Sequence, residues 1–193
     1  MTAKPVPAPE LVAIGASAGG VDALLTLLDG LLPPMRASIA IVLHLAERHP
    51  NRLVEVFSMR AGVPVAEAQP HGPVRPGHIY VAPAGYHLLV EADRSFSLSC
   101  EPPVLFSRPS IDVLFESCAD SLGSRVLGML LTGANEDGAC GLARIAGHGG
   151  TTAVQDPHDA SYPTMPTAAL RLVQPDYVLP LAGLRQLLHT AIR

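Results

Sequence analysis

The sequence predicts a single α/β domain built on a doubly wound, mostly parallel sheet with a β-hairpin insertion. Three observations carry that reading. Short continuous apolar runs recur along the chain, as in strands covered on both faces. Segments with helical spacing of apolar residues alternate with them. The chain has 193 residues, 48% apolar and only 16% charged, so it can bury a sizeable core and is too apolar for disorder.

Residues 1–10 hold three prolines and read as a flexible leader, leaving 11–193 as the folded domain. Leu11-Val-Ala-Ile-Gly15 is the first buried strand, and Val21 to Leu28 a helix ending before Pro33-Pro34. Ser38-Ile-Ala-Ile-Val-Leu-His44 is the second strand. Leu53 to Arg60 is helical in pattern and stops at Gly62. From Pro64 to Glu101 the character changes. The short β-prone pieces 78–82, 87–91 and 96–99 are separated by Pro, Gly and Asp, which predicts hairpins beside the main sheet. Ile111 to Leu122 returns to a helical period, and Val126-Leu-Gly-Met-Leu-Leu131 is a third buried strand. A helix over 138–147, a strand over 151–155, a helix over 164–172, a strand over 177–179 and a closing helix over 184–192 complete the alternation.

Composition excludes several functions. The formal net charge is −4 and no cluster of Lys or Arg occurs, so the basic stripe that displaces counterions from nucleic acid is missing. Aromatic residues make up 4% of the chain and Trp is absent, which leaves little for base stacking. Cys100, Cys118 and Cys140 are odd in number and widely spaced, as in a reducing compartment. No secretory pattern or apolar run of membrane-spanning length occurs, so a cytoplasmic protein without membrane insertion is expected. The histidines show no metal-binding spacing, and neither a metal nor another cofactor is expected.

In an open parallel sheet, ligands bind outside the carboxyl ends of the strands. Three chemically able residues stand at such ends: Ser17, His44 and Asp137. Gly15-Ala-Ser-Ala-Gly-Gly20 contains G-x-S-x-G between a strand and a helix, where small neighbours leave the hydroxyl exposed. A helix N-cap explains Ser17 equally well on this segment alone. The turn matches neither the dinucleotide nor the P-loop glycine pattern, which makes nucleotide binding a minor reading. His44 closes the strand that follows by one crossover, so its tip is predicted about 5 Å from that of the first strand. His is the usual base for activating a serine. Asp137 lies in a Gly-flanked turn after the third strand. It is either a helix N-cap or the acceptor for the second imidazole N–H, with Glu136 as a competing acid.

The segments Ile14-Gly-Ala-Ser-Ala-Gly-Gly20, His44, Pro76-Gly-His-Ile-Tyr-Val-Ala-Pro83, Arg108-Pro-Ser-Ile-Asp112, Leu131-Thr-Gly-Ala-Asn-Glu-Asp-Gly138 and Met165-Pro166 occur together and in order. This combination resembles the catalytic domain of CheB-type protein-glutamate methylesterases, over roughly residues 10 to 190. The resemblance implies a triad of Ser17, His44 and Asp137 with an oxyanion held by the backbone N–H groups of Ala18 and Ala134. It implies hydrolysis of glutamate γ-methyl esters on a methylated chemoreceptor or related sensory protein, with deamidation of certain glutamines, and no cofactor. A methyltransferase is a further candidate partner.

The chain departs from that pattern in places. Ala18 stands where the chemotaxis enzyme commonly has Thr, Ala134 where it commonly has Met, and Leu45-Ala-Glu-Arg-His49 replaces a Met-Pro pair after the histidine. The stretch before Leu11 is too short for the receiver domain that normally precedes the catalytic one, so a stand-alone domain is expected. The alternative is a non-catalytic signalling module that keeps the fold to bind a receptor or a methyltransferase.

Overall fold

The computed structural model describes residues 8–44 and 52–193. Most of the expected leader (1–7) and the segment after His44 (45–51) lie outside the described residues. Glu10, at the end of that leader, is tied into the fold. Its N–H donates to the Arg125 carbonyl at 2.8 Å, and its own carbonyl accepts Ser38 N–H at 3.0 Å.

Seven strands form one sheet, in which all neighbours run parallel. In chain order they are β1 (Leu11–Ala16), β2 (Ser38–Leu43), β3 (Val65–Glu67), β4 (Ile79–Val81), β7 (Val126–Leu130), β8 (Thr151–Gln155) and β9 (Tyr177–Leu179). Their spatial order is β3-β4-β2-β1-β7-β8-β9. The chain therefore winds outward from β1 in one direction through β2 and in the other through β7. Crevices that hold ligands form where the winding reverses. The remaining strands, β5 (His87–Val90) and β6 (Phe96–Ser99), pair antiparallel as a separate hairpin.

Every residue of β1, β2, β7 and β8 is buried, which explains why these strands read as unbroken apolar runs instead of alternating ones. Alternate side chains feed two cores. Val12, Ile14 and Ala16 face one layer with helices α1 (Gly20–Leu28), α2 (Leu53–Ser58) and α6 (Leu181–Ala191). Leu11 and Ala13 face the other, with α3 (Ile111–Leu122), α4 (Ala139–Gly147), α5 (Thr164–Leu172) and the hairpin. In α1 the buried Ala23, Leu24, Leu27 and Leu28 form one stripe, and the helix stops at Asp29 before Gly30, whose φ of 75° suits a residue without a side chain. In α3 the buried Leu114, Phe115, Cys118, Ala119 and Leu122 form the corresponding stripe against β1, β7 and the hairpin.

The expected doubly wound sheet with a hairpin insertion is the observed fold. The middle of the chain differs from expectation in detail. Only β5 and β6 form a hairpin there. The 78–82 piece contributes β4, which runs parallel to β2 in the main sheet, and β3 extends that edge. β3 has three half-buried residues, too few to show a period. No helix among the described residues is long and apolar enough to cross a membrane.

Candidate active site

Ser17 and His44 are the residues immediately after β1 and β2. Those strands are neighbours in parallel register, ending on the pair Ala16 and Leu43. His44 N–H extends the ladder by donating to the Ala16 carbonyl at 3.1 Å. Ser17 is fixed from the other side, its N–H donating to Thr132 beyond β7 at 3.0 Å and its carbonyl accepting Gly20 N–H at 2.8 Å.

Helix α1 is not capped by Ser17. Its N-cap is Gly19, with φ of 74°, and no side chain caps it. The hydroxyl of Ser17 makes no hydrogen bond to a described residue, which removes the capping alternative. The glycines have a packing reason of their own. A Cβ on Gly19 would lie 3.0 Å from Ser161 Cβ, and one on Gly20 would lie 2.5 Å from Leu43 Cδ1. Only bare backbone can pass between β1, β2 and the 131–138 loop at this point. The N–H groups of Ala18 and Ala134, like those of Gly19 and Asn135 beside them, donate to no described residue.

Asp137 does not cap its own helix either, since Gly138 is the N-cap of α4. Its carboxylate instead accepts four donors. His44 Nε2 lies 2.8 Å from Oδ2, Ile111 N–H 2.7 Å from Oδ2, Ser110 Oγ 2.8 Å from Oδ1 and Asp112 N–H 3.0 Å from Oδ1. The carboxylate thus sits in the open N-terminus of α3, where free N–H groups and the helix dipole favour negative charge. Burial, complete for this side chain, pushes the carboxyl pKa upward. The hydrogen bonds from His44, from the Asp112 and Ile111 backbone and from Ser110 outweigh it and hold the group below the ordinary carboxylate range.

With an ionised acceptor at Nε2, His44 carries its proton there, and Nδ1 is the free lone pair. That lone pair faces a residue the sequence reading did not name. Ser107 Oγ lies 3.3 Å from His44 Nδ1, and Asn135 Nδ2 lies 3.5 Å from the same oxygen. Ser17 and His44 share no hydrogen bond here, although their strand ends are adjacent as expected. Ser107 is thus the hydroxyl on the imidazole, while Ser17 stands at the end of the neighbouring strand.

Ser107 belongs to a strap, residues 100–110, that joins the hairpin to α3. Buried His87 pins the strap: Ser110 N–H donates to its Nδ1 at 3.1 Å, leaving Nε2–H to donate to the Pro102 carbonyl at 3.2 Å. Arg108 Nη1 donates to the carbonyls of Cys100 and Glu101 at 3.0 and 3.1 Å. Asp112 then links the strap to α4 by accepting Gly141 N–H at 2.7 Å. Burial pushes the Asp112 carboxyl up to about 6 against that hydrogen bond, and the charges of Asp137 and Glu116 add to the rise.

The model of the CheB methylesterase family matches residues 12–188. The chain belongs to the CheB methylesterase family. A protein of Leptospira interrogans named a putative protein-glutamate methylesterase/protein-glutamine glutaminase is 40% identical over 178 residues, which is 92% of this chain and 92% of that protein. Longer relatives match as well. The protein-glutamate methylesterase/protein-glutamine glutaminase 1 of Hahella chejuensis is 40% identical over 89% of this chain and 48% of its own length. Among solved structures, the CheB methylesterase catalytic domain of Thermotoga maritima superposes with a TM-score of 0.90 at 27% identity, covering 95% of this chain and 99% of that one.

Within this member of the CheB family, four of the six segments that carried the resemblance converge on one place. Gly15–Gly20, His44, Arg108–Asp112 and Leu131–Gly138 all meet at the carboxyl ends of β1, β2 and β7. Sequence reasoning missed Ser107, Ser110 and His87. For Ser110 a signal was available, because a Ser just before an apolar helical period is an N-cap signature, and it does accept Val113 N–H at 3.4 Å. Ser107 and His87 act across the strap, and no spacing in the chain points to their partners. The departure at residues 45–49 lies outside the described residues.

Proposed function

We propose that this CheB-family chain hydrolyses glutamate γ-methyl esters on a methylated chemoreceptor or related sensory protein, with Ser17 as nucleophile. The observation that carries the reading is the 2.8 Å contact between His44 Nε2 and an Asp137 carboxylate pinned by a helix N-terminus, one strand spacing from Ser17. Ser17 Oγ attacks the ester carbonyl carbon while His44 Nδ1 takes its proton. The backbone N–H groups of Ala18 and Ala134 receive the developing oxyanion. His44 returns the proton to the departing oxygen, releasing methanol and leaving an ester on Ser17. Water then attacks that ester, again losing a proton to Nδ1; as the acyl–Oγ bond breaks, His44 returns that proton to Ser17 Oγ and the glutamate side chain is freed. Asp137 holds the ring so that Nδ1 is always the basic nitrogen and stabilises the imidazolium. The same steps on a glutamine side chain release ammonia in place of methanol. The names of the Leptospira and Hahella relatives cover both reactions.

In this account the Ser107 hydroxyl rotates about its Cα–Cβ bond to give up Nδ1 when substrate arrives. That occupancy is also the one observation favouring the non-catalytic reading, in which the fold binds a receptor or a methyltransferase without turnover. Methanol release from a methylated glutamate peptide separates the two. The wild type is expected to release methanol and Ser17→Ala none above the uncatalysed rate. Release by neither protein would leave the binding reading.

A further inference from the structure

The residues just before Ser107 are the most unusual on the surface. Val104 and Ser107 pair as an isolated antiparallel bridge, with Val104 N–H donating to the Ser107 carbonyl at 3.1 Å and Ser107 N–H to the Val104 carbonyl at 2.8 Å. The two residues between them, Leu105 and Phe106, have φ of 46° and 64°. Left-handed backbone at both central positions is the requirement of a tight type I′ turn, which ordinarily uses Asn-Gly because side chains with a Cβ are strained there. This chain places two large apolar residues in it. Neither is repaid by burial: Phe106 is 102% exposed and Leu105 47%.

The turn is also held firmly. Arg108 and His87 brace the strap on both sides of it, through the bonds to Cys100, Glu101, Pro102 and Ser110 described above. Strain kept in place by surrounding contacts is found where geometry serves a function. The geometry here projects an aromatic ring one residue from the hydroxyl on His44 Nδ1, so Cα to Cα the distance is about 3.8 Å. A second exposed aromatic, Tyr162, lies in the loop before α5 at 49% exposure. Its carbonyl accepts Gly133 N–H at 3.0 Å and its N–H donates to Thr132 Oγ1, which in turn donates to the Ala18 carbonyl.

We propose that Phe106, with Leu105 beside it, is a specificity-determining contact that packs against an apolar side chain next to the esterified glutamate of the protein substrate. The proposal rests on the esterase reading above, since it assigns the surface by its distance from His44. An ester without neighbouring side chains cannot use this contact, whereas a polypeptide entering the site passes beside it. A large apolar group exposed at a site mouth gains by being covered, and the strain is then the cost of presenting it.

Three substrates test this: p-nitrophenyl acetate, a peptide with its glutamate γ-methyl ester flanked by Leu, and the same peptide flanked by Ser. Wild type is expected to prefer the Leu-flanked peptide by about tenfold in kcat/KM, mainly through KM. In Phe106→Ser that preference should fall to near unity, and the Leu-peptide to p-nitrophenyl acetate ratio should drop by a similar factor. Leu105→Asn with Phe106→Gly should lose the preference while raising Tm, because those residues suit the turn. The proposal is overturned if wild type cleaves both peptides equally, or if Phe106→Ser keeps the preference. It is also overturned if size-exclusion shows a wild-type dimer that Phe106→Ser dissociates, which would make the turn a contact between copies of this chain. If wild type cleaves none of the three esters, the esterase reading itself falls.

Discussion

His44 has two nitrogens, and the structure commits each of them. Nε2 is bound to a carboxylate held low by its hydrogen bonds with His44 and the α3 N–H groups, which leaves Nδ1 as the acceptor; Ser107 lies on it, and Ser17 is at the end of the neighbouring strand. If Ser107 is a resting partner, removing its hydroxyl frees the lone pair without removing the nucleophile. Ser107→Ala should therefore keep kcat/KM for p-nitrophenyl acetate within about threefold of wild type. Steady-state kinetics check this, and a loss of 100-fold or more would assign Ser107 a direct chemical part. The residues at the strand ends were legible in the chain because one filter, the carboxyl end of a buried strand, selects few positions. The hydrogen-bonded neighbours were not, because Ser107 and His87 are brought in by a strap whose path no local pattern encodes.

At the scale of elements, the site is an assembly of helix termini. Helix α3 offers its N-terminus to Asp137, and its second residue, Asp112, reaches across to the start of α4 through Gly141. Asp112 is buried with its carboxyl raised to about 6, while the unfolded chain titrates near 4. Between those values the native state holds a proton that the unfolded state has lost, so this residue's contribution to stability falls as pH rises from about 4 to about 6 and is constant above. Asp112→Asn removes that titration. Urea midpoints measured from pH 4 to pH 8 should show the variant gaining on wild type through this window, by at most about 3 kcal/mol, and then running parallel. The opposite slope would place the charged form as the favoured one. Most elements were legible from their patterns: β1, β2 and β7 as unbroken apolar runs, and α1 to α6 by their helical apolar spacing, were anticipated within a few residues. β3 and the sheet membership of β4 were not, since β3 is half-buried with no apolar run and only the pairing of β4 with β2 and of β3 with β4 builds that edge.

Across the whole molecule, the two cores have different relations to the chemistry. The layer of α1, α2 and α6 stabilises the sheet from one face, and Leu24 is fully buried in it. The layer of α3, α4 and α5 also sets the position of Asp137. Ile111 is the link: its N–H binds the carboxylate, and its side chain fills the space left by Gly15 and Gly138. Leu24→Ala and Ile111→Ala should each lower stability by about 2–5 kcal/mol in urea. Only Ile111→Ala should also lower kcat at 25 °C, and an equal loss of kcat in both would contradict a division between the two layers. All of this rests on Ser17 being the nucleophile that His44 serves. Reaction with a fluorophosphonate, followed by mass mapping of the peptides, tests it most directly. The adduct is predicted on the peptide bearing Ser17 and absent from Ser17→Ala. An adduct on Ser107, or undiminished labelling of Ser17→Ala, would contradict it.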